Sequence, residues 1–252
     1  LEIHTELLTK TKMFSSAPLG YGERANSAIN EVDLAMPGVL PSVNKQAVRY
    51  GVYLAKALGC EIDPILRFDR KHYFYSDLPK GYQITQDTHP LGKNGHFDIY
   101  VGDLKQTVRI NRLHLEEDTA KQTHEDTKTL IDFNRAGTPL VEIVTEADFR
   151  DGKSAAAFVD GIRLLVIYLG VSDGKMAEGS LRCDVNISIR ELGSHSFGTK
   201  VEIKNLNSIS NVEKAIEYEF NRQVELVSQG KDVISETRRF DESSQTTQIM
   251  RE

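Results

Sequence analysis

The sequence predicts an α+β domain built on antiparallel β-sheet. Strand-like segments follow one another with few helices between them, which is typical of that class. Three segments show the apolar spacing of helices, too few for the strict strand–helix alternation of a Rossmann-like fold. The chain of 252 residues is long enough to bury a substantial core, and we expect residues 1–252 to form a single domain.

The strands are predicted from runs rich in β-branched and aromatic residues, bounded by turns that contain Gly, Asn, Pro or Asp. One predicted turn is LGKNGH at residues 91–96. In chain order, the predicted strands are residues 1–8, 67–75, 81–86, 96–101, 106–118, 139–144, 180–190 and 199–205.

Three helices are predicted from apolar residues that recur with helical spacing. They cover residues 42–59, 154–170 and 210–230, and each ends at a glycine, a common helix terminator. Ser210, followed three residues later by Glu213, matches a capping box and predicts the start of the third helix. The apolar stripes of the first two helices contain Val48, Val52, Ala55, Leu58, Phe158, Ile162, Leu165, Val166 and Leu169.

Composition excludes several classes of protein. Hydrophobic residues make up 39% and charged residues 27%, as in ordinary globular proteins. No apolar run approaches the roughly 20 residues of a membrane span, and no signal-peptide pattern opens the chain. Cys60 and Cys183 lie far apart, which favours a reducing compartment without structural disulfides. The net charge of -6 argues against a general nucleic-acid binder, so any RNA contact is expected to be local or to depend on another segment.

The segment SLRCDVNISIR at residues 180–190 divides into an apolar and a polar face. Alternation along a strand places Cys183, Val185, Ile187 and Ile189 on one face. The opposite face could be a solvated surface or the wall of a polar site. Its mixture of Arg, Asp, Asn and Ser differs from the Lys and Glu usual on solvated faces; its members are Arg182, Asp184, Asn186, Ser188 and Arg190.

Carboxylates recur on neighbouring predicted strands. Residues 116–118 are three consecutive acids at a strand end, and Glu2, His4 and Glu6 share one face of the first strand. Glu142 stands alone in the apolar run PLVEIV, where a buried carboxylate requires a cation. That cation is either a bound metal or a basic side chain; the candidate side chains are Arg135 and Arg112.

These acids suggest a magnesium site. The phosphate-binding loop G-x-x-x-x-G-K-[ST] is absent, so carboxylates that hold Mg²⁺ would have to contribute more to any nucleotide binding. His4, Glu117, Glu142 and Asp184 together offer oxygen ligands and one imidazole, a donor set suited to Mg²⁺.

The segment RFDRKHYFYSDLPKGYQ, residues 67–83, mixes basic and aromatic side chains. Such a mixture can stack on and neutralise a nucleotide or an RNA end. Alternatively, the aromatic residues pack a strand while the charges face solvent. The composition of the segment leaves both interpretations open.

Five blocks spread along the chain carry a family resemblance. They are RFDRKHYFYSDLPKGYQITQ, RLHLEED, IDFNRAGTPLVEIVTEA, GVSDGKMAEGSLRCDVNISIR and TKVEIKNLNS. In this order they closely resemble the B-subunit family of the aspartyl/glutamyl-tRNA amidotransferases, essentially from end to end. The block DFNRAGTPLVEIV is specific by itself.

The resemblance implies one component of a heterotrimer that also contains an amidase subunit and a small clamping subunit. The amidase releases ammonia from glutamine or asparagine. The component that this chain resembles activates the side-chain carboxylate of Glu-tRNA(Gln) or Asp-tRNA(Asn) with ATP and Mg²⁺ as an acyl phosphate, and ammonia arriving through an internal channel displaces the phosphate. The implied fold resembles the catalytic fold of glutamine synthetase and the guanido kinases. Which of the two tRNAs is used stays open.

The resemblance also implies roles for individual residues. His4, Glu117 and Glu142 correspond to the Mg²⁺-binding positions, with Glu2 beside them. Asp184 is expected to line the same site. Phosphate or substrate contacts are expected from Arg182, Asn186 and Lys204.

Lys80 in DLPKGYQ resembles a residue near the mouth of the ammonia channel, close to the acids of HLEED. With Glu117 it would form a Lys–Glu pair. Such a pair could strip a proton from ammonium or gate the passage.

Two departures from the family bear on the cofactors and on the domain content. Many members carry zinc-binding cysteines after the first strand, whereas residues 15–41 here contain none, so zinc is not expected. Members also continue into a helical domain and a tRNA-binding tail beyond the catalytic (cradle) portion, and we expect this chain to hold only that portion. The expected compartment is the bacterial cytoplasm, with a mitochondrion or chloroplast also open.

Two other functions remain to be tested. A free-standing ATP-dependent carboxylate–amine ligase or guanidino kinase would share the acidic sheet but act on a small substrate. A non-catalytic RNA-binding or scaffold subunit would explain the basic–aromatic segment but not Glu142 and its acidic neighbours.

Overall fold

A computed structural model describes residues 1–251 of the protein. Within these residues it contains three α-helices, one nine-stranded sheet and two two-stranded sheets, which confirms a mixed, mainly antiparallel α+β architecture. The helices are α1 (Lys45–Ala57), α2 (Gly152–Tyr168) and α3 (Ile209–Ser228). No helix in the described range is long and apolar enough to cross a membrane.

The large sheet has the strand order β13-β12-β11-β10-β1-β9-β6-β5-β2. Its neighbouring strands are antiparallel except for β11 and β12, which run parallel. The smaller sheets are the ribbons β3–β4 and β7–β8. The strand bounds are β1 Glu2–Glu6, β2 Glu61–Ile62, β3 Asp69–His72, β4 Tyr82–Thr85, β5 Gly92–Val101, β6 Leu104–Glu117, β7 Lys121–Glu125, β8 Lys128–Asp132, β9 Pro139–Thr145, β10 Leu181–Ile187, β11 Val201–Leu206, β12 Thr237–Asp241 and β13 Thr246–Arg251.

The predicted strands are confirmed, although not with the same bounds, since every predicted run contains an observed strand. The strands β2, β7, β8, β12 and β13 were not predicted. The turn predicted at residues 91–96 is wrong, because β5 already begins at Gly92 and pairs with β6 there. Asn94, with φ of 55°, absorbs the irregularity inside the strand in a conformation that asparagine tolerates better than most residues.

The three predicted helices are confirmed, with shifted starts. Asn44 caps α1 by accepting hydrogen bonds from the next turn, and Asp151 caps α2 in the same way. The capping box predicted at Ser210 is wrong, because the cap of α3 is Ser208. Ser208 has extended backbone, so its hydroxyl accepts a hydrogen bond from the Asn211 amide at 3.1 Å, while Ser210 already lies inside the helix.

The apolar face of the large sheet packs against the three helices. Strand alternation sends Ile3 into this layer and, as predicted, Cys183, while their neighbours on the same strands face the other way. The core that joins sheet and helices includes Leu54, Leu113, Leu115, Ile143, Phe158, Ile162, Val185, Ile203 and Val212. The opposite face of the sheet is left free to carry polar side chains.

The ribbon β3–β4 lies beside the end of β6. Gln86, just after β4, accepts a hydrogen bond from the Leu115 amide at 2.9 Å. The interpretation that the aromatic residues of this segment pack a strand holds for Phe68, which meets Phe14 edge-on. The same interpretation is wrong for Phe74. This residue lies beyond the end of β3 and is 87% exposed.

The contact between α2 and α3 depends on Gly152. A Cβ atom at this position would come within 2.6 Å of the Glu213 carbonyl oxygen and 3.1 Å of its Cα atom, both backbone atoms that cannot rotate away. We therefore expect Gly152→Ala to lower the free energy of unfolding by about 1–3 kcal/mol through overpacking. Denaturant unfolding measures this. The exposed neighbour Lys153 provides the control, since Lys153→Ala should change stability by less than about 0.5 kcal/mol; equal effects would contradict the explanation.

Candidate active site

The polar face of the large sheet borders a cavity of about 460 Å³. This volume lies within the roughly 300–1,000 Å³ of small-molecule sites. The predicted polar wall is present at Arg182 and Asp184, which both line the cavity. The charged or titratable residues of the lining on this polar face are His4, Lys71, Glu116, Asp118, Glu142, Arg182, Asp184 and Lys204.

Three residues that line this cavity and one buried beside them form what we call the His–Glu cluster: His4, Glu116 and Glu142 at the cavity, and His114. The central strands bring them together, because Glu142 of β9 lies opposite His4 of β1 on one side and His114 of β6 on the other. The Glu142 Oε2 atom is 3.4 Å from His4 Nε2 and 3.2 Å from His114 Nε2. Glu116 joins the two histidines from the same face of β6, at 3.8 Å from His4 and 3.5 Å from His114.

The cluster favours the ionised form of Glu142. Burial opposes ionisation of Glu142, yet hydrogen bonds from His114 and His4 lower the pKa of Glu142 well below its usual range. Burial likewise opposes the charge on His114, but Glu116 and Glu142 raise its pKa to about 9. The pKa of His4 is raised against burial by the same two carboxylates. The alternative that Arg135 or Arg112 pairs with Glu142 is wrong, since two histidines occupy that role.

The donor set of the cluster fits a divalent cation. One ligand atom from each of His4, Glu116 and Glu142 can be chosen so that all three lie within 4.8 Å of one another. Two carboxylate oxygens and one imidazole nitrogen suit Mg²⁺ or Mn²⁺ better than a thiolate-seeking metal. The cavity beside them leaves room for further oxygen ligands from a substrate.

A second group of acids lies further along the sheet. Glu2, Asp184 and Glu202 also place one carboxylate oxygen each within 4.8 Å of the others. Lys204 bridges two of them, at 2.7 Å from Asp184 and 3.2 Å from Glu202. Although burial opposes its charge, these carboxylates raise the pKa of Lys204. Asn186 donates to Glu2 at 3.0 Å and so orients it from the same strand face as Asp184.

Arg182 is held at the cavity by Asp118. The two form an ion pair at 2.8 Å, and Arg135 lies 3.7 Å from the same carboxylate. Against the effect of burial, both arginines lower the pKa of Asp118. Burial and the neighbouring Asp118 raise the pKa of Glu6 to about 7. The guanidinium thus stays fixed and charged at the cavity wall.

Lys80 and Glu117 form a separate pair beside a cavity of about 10 Å³, roughly the space of one water. Lys80 Nζ lies 2.5 Å from Glu117 Oε1, and that oxygen also accepts a hydrogen bond from the Ile84 amide at 3.0 Å. Burial raises the pKa of Glu117, and Lys80 partly offsets this. Asp118 lines both this small cavity and the large one.

The predicted metal set of His4, Glu117 and Glu142 is therefore divided between two places. His4 and Glu142 lie together, whereas Glu117 points from the other face of β6 toward Lys80. Glu116 takes the place beside His4 and Glu142 that was expected for Glu117. Metal binding by any of these residues stays a prediction. Sequence reasoning missed His114, Glu116 and Glu202 as site residues.

The sheet and its cavity define this protein as an α+β domain with a candidate divalent-cation site on the polar face of a mainly antiparallel sheet. Its sequence matches the model of the GatB/GatE catalytic domain over residues 1–252. The chain belongs to that family, which confirms the resemblance found in its motifs.

Individual relatives agree with the family match. The chain is 55% identical over 251 residues to the B subunit of the aspartyl/glutamyl-tRNA(Asn/Gln) amidotransferase of Mesoplasma florum. It is 53% identical over 253 residues to the protein of the same name from Ureaplasma urealyticum, and 52% over 252 residues to that from Geobacillus kaustophilus. These matches cover 100% of this chain but 52–53% of each relative, so the chain spans about half the length of those proteins.

Proposed function

We propose that this chain is the catalytic part of a subunit that amidates misacylated tRNA. It would activate the side-chain carboxylate of Glu-tRNA(Gln) or Asp-tRNA(Asn) with ATP and Mg²⁺, and ammonia would then convert the activated group to the amide. Relatives at 52–55% identity are named for this amidotransferase, which supports the proposal and disfavours a free-standing small-substrate ligase or guanidino kinase.

The single observation that carries the proposal is the His–Glu cluster at the large cavity. Phosphoryl transfer from ATP to a carboxylate brings two anions together, so it requires concentrated positive charge. A Mg²⁺ ion held by His4, Glu116 and Glu142 would supply charge neutralisation and orientation of phosphate oxygens. A non-catalytic scaffold would have no use for two carboxyl groups buried beside two histidines.

Other residues of the cavity would complete the chemistry. Arg182, fixed by Asp118, presents a permanent cation that can bind phosphate oxygens. Lys204 can exchange part of its contact with Asp184 for a substrate phosphate, since its side chain is 32% exposed. Glu2 and Asp184 would orient the reacting groups, and Asn186 positions Glu2 from behind.

The Lys80–Glu117 pair would handle ammonia before it reaches the large cavity. Ammonium must lose a proton before its nitrogen can attack the activated carbonyl. Burial raises the pKa of Glu117 and Lys80 partly offsets this, so the Glu117 carboxylate would be the group that accepts that proton. Attack by ammonia then forms the C–N bond, phosphate leaves, and the surplus proton is lost to solvent.

The same proposal includes the finer features implied by the family. The fold would correspond to the glutamine synthetase and guanido kinase catalytic fold. The partners would be an amidase subunit and a small clamping subunit in a heterotrimer, with the tRNA held mainly by parts of the protein outside this cradle domain. We propose that the reaction does not require zinc. We also propose that the protein works in the bacterial cytoplasm.

The test uses the full-length subunit assembled with its amidase and small subunits. Glutamine, ATP, Mg²⁺ and Glu-tRNA(Gln) or Asp-tRNA(Asn) should give Gln-tRNA(Gln) or Asn-tRNA(Asn), with one ADP formed for each amide. Omitting either ATP or Mg²⁺ should stop product formation. Free glutamate, aspartate and guanidino compounds serve as competing substrates; turnover of these without tRNA would favour the small-substrate enzyme instead.

Lys80→Met should impair the use of ammonia more than the activation step. Without Lys80, the pKa of Glu117 should rise further because burial is no longer offset, which disfavours the carboxylate form that accepts a proton. Glutamine-supported amidation is therefore expected to fall by about 100-fold, the low end for a lost proton-transfer group. The deficit should shrink when ammonium chloride replaces glutamine at higher pH, because ammonia is then already neutral.

Lys93→Met, which removes an exposed lysine on β5, is the matched control and should leave both rates unchanged. A loss by Lys80→Met that is equal for glutamine and ammonium at every pH would contradict a role in proton removal.

A further inference from the structure

His114 is a buried side chain that the proposed chemistry does not use directly. It lies on β6 opposite Glu142 and is 3% exposed. Its Nε2 atom faces both Glu142, at 3.2 Å, and Glu116, at 3.5 Å. Its other ring nitrogen, Nδ1, is buried without a hydrogen-bond partner. The ring is therefore anchored only through the two carboxylates.

The contacts of Glu116 show how the ring acts on the cluster. His114 Nε2 and the Thr85 hydroxyl, at 3.2 Å, both contact the same oxygen, Glu116 Oε2. The other oxygen, Oε1, is left on the side of His4, 3.8 Å from its ring nitrogen. The Thr85 hydrogen bond and the His114 contact at 3.5 Å both fall on one oxygen and restrict the rotation of the carboxylate, so that the second oxygen points to where a cation would lie.

We infer that His114 is a positioning residue, which donates Nε2–H to Glu142 and Glu116 and holds both carboxylates in the orientation that binds a divalent cation with His4. This inference rests on the cation site of the proposed function. A histidine that only filled space in the core would gain nothing from facing two carboxylates, because burying an ionisable ring is costly compared with an apolar side chain.

The geometry also distinguishes positioning from direct ligation. Nε2 is already engaged by two carboxylate oxygens, whereas Nδ1, the other ring nitrogen that could bind a metal, is enclosed on the side away from them. Glutamine at this position can place its amide –NH₂ where Nε2–H lies, so it can replace the donor. Leucine or methionine fills the space without a donor.

The experiment measures Mn²⁺ binding to the full-length subunit assembled with its partner subunits. Binding is followed by electron paramagnetic resonance, because the signal of free Mn²⁺ is lost when the ion binds. His114→Leu is expected to weaken Mn²⁺ binding by about 10–100-fold, the usual effect of losing a partner that orients metal ligands. His114→Gln should bind within about threefold of the wild type. His114→Met is the second apolar variant in case His114→Leu does not fold, and thermal unfolding checks each protein.

Rescue by Gln but not by the apolar residues would support positioning, because a merely structural role predicts no such difference. The inference would be overturned if a folded Leu or Met variant bound Mn²⁺ as tightly as the wild type and His114→Gln do. If all folded variants, His114→Gln included, lost Mn²⁺ affinity to the same extent, the inference would be overturned in favour of direct metal ligation by the His114 ring. If the wild type itself binds no Mn²⁺, the proposed cation site fails and the inference with it.

Discussion

Glu142→Gln should reduce ATP-dependent amidation by about 100-fold or more while the partner amidase still hydrolyses glutamine. Glu142 is the centre of the His–Glu cluster, since both histidines contact its Oε2 atom. The amide keeps the size of the side chain but removes the negative charge that a divalent cation needs, and it places a possible N–H donor against two histidine donors. The measurement is Gln-tRNA(Gln) formation at saturating ATP and Mg²⁺.

Glu146→Gln is the matched control for this change. Its carboxylate lies four residues further along the chain and accepts a hydrogen bond from Asn111 in an exposed position outside the cavity. It should retain near-wild-type amidation. If Glu142→Gln also retains it, the His–Glu cluster is structural and the active site lies elsewhere in the protein.

The choice between Glu116 and Glu117 shows where sequence reasoning reached its limit. The sequence predicts three acids at the end of a strand and a lone Glu142 in another strand, and both predictions are confirmed. Adjacent residues in a strand face opposite sides, so the residue that faces Glu142 depends on the register of β6 against β9. A single sequence gives no information on that register. The pairing of His114 with Glu142 places Glu116 on the side of the large cavity and Glu117 on the other.

The missed strands have a related physical cause. β7 and β8 form an exposed ribbon whose sequences, KQTHE and KTLID, have no buried face and therefore no apolar alternation to detect. β12 and β13 are also polar, because their inward side chains include Arg238 and Thr247 rather than a run of aliphatic residues. The predicted strands at the centre of the sheet were recognisable because one face of each is buried against the helices.

Lys12→Met should lower the free energy of unfolding by about 3–5 kcal/mol, the range for removing one partner of a buried ion pair. The Lys12 side chain is fully buried, and its Nζ atom lies 3.2 Å from the equally buried Asp33. Burial lowers the pKa of Lys12, and Asp33 opposes that effect. Removal of the lysine leaves the Asp33 carboxylate with only the Ser15 hydroxyl and the Asn30 amide as donors. Denaturant unfolding of the full-length protein measures the loss.

Two comparisons separate this uncompensated charge from a simple packing defect. Lys10→Met, at an exposed lysine two residues earlier, should change stability by less than about 0.5 kcal/mol. Adding Asp33→Asn to Lys12→Met should restore much of the lost stability, because a neutral amide no longer requires a buried cation. If the double variant is as unstable as Lys12→Met alone, the cost comes from packing around the lysine stem. Since Asp33 also lines the small cavity beside Lys80 and Glu117, recovery would show that folding does not require a charged pair at the wall of that cavity.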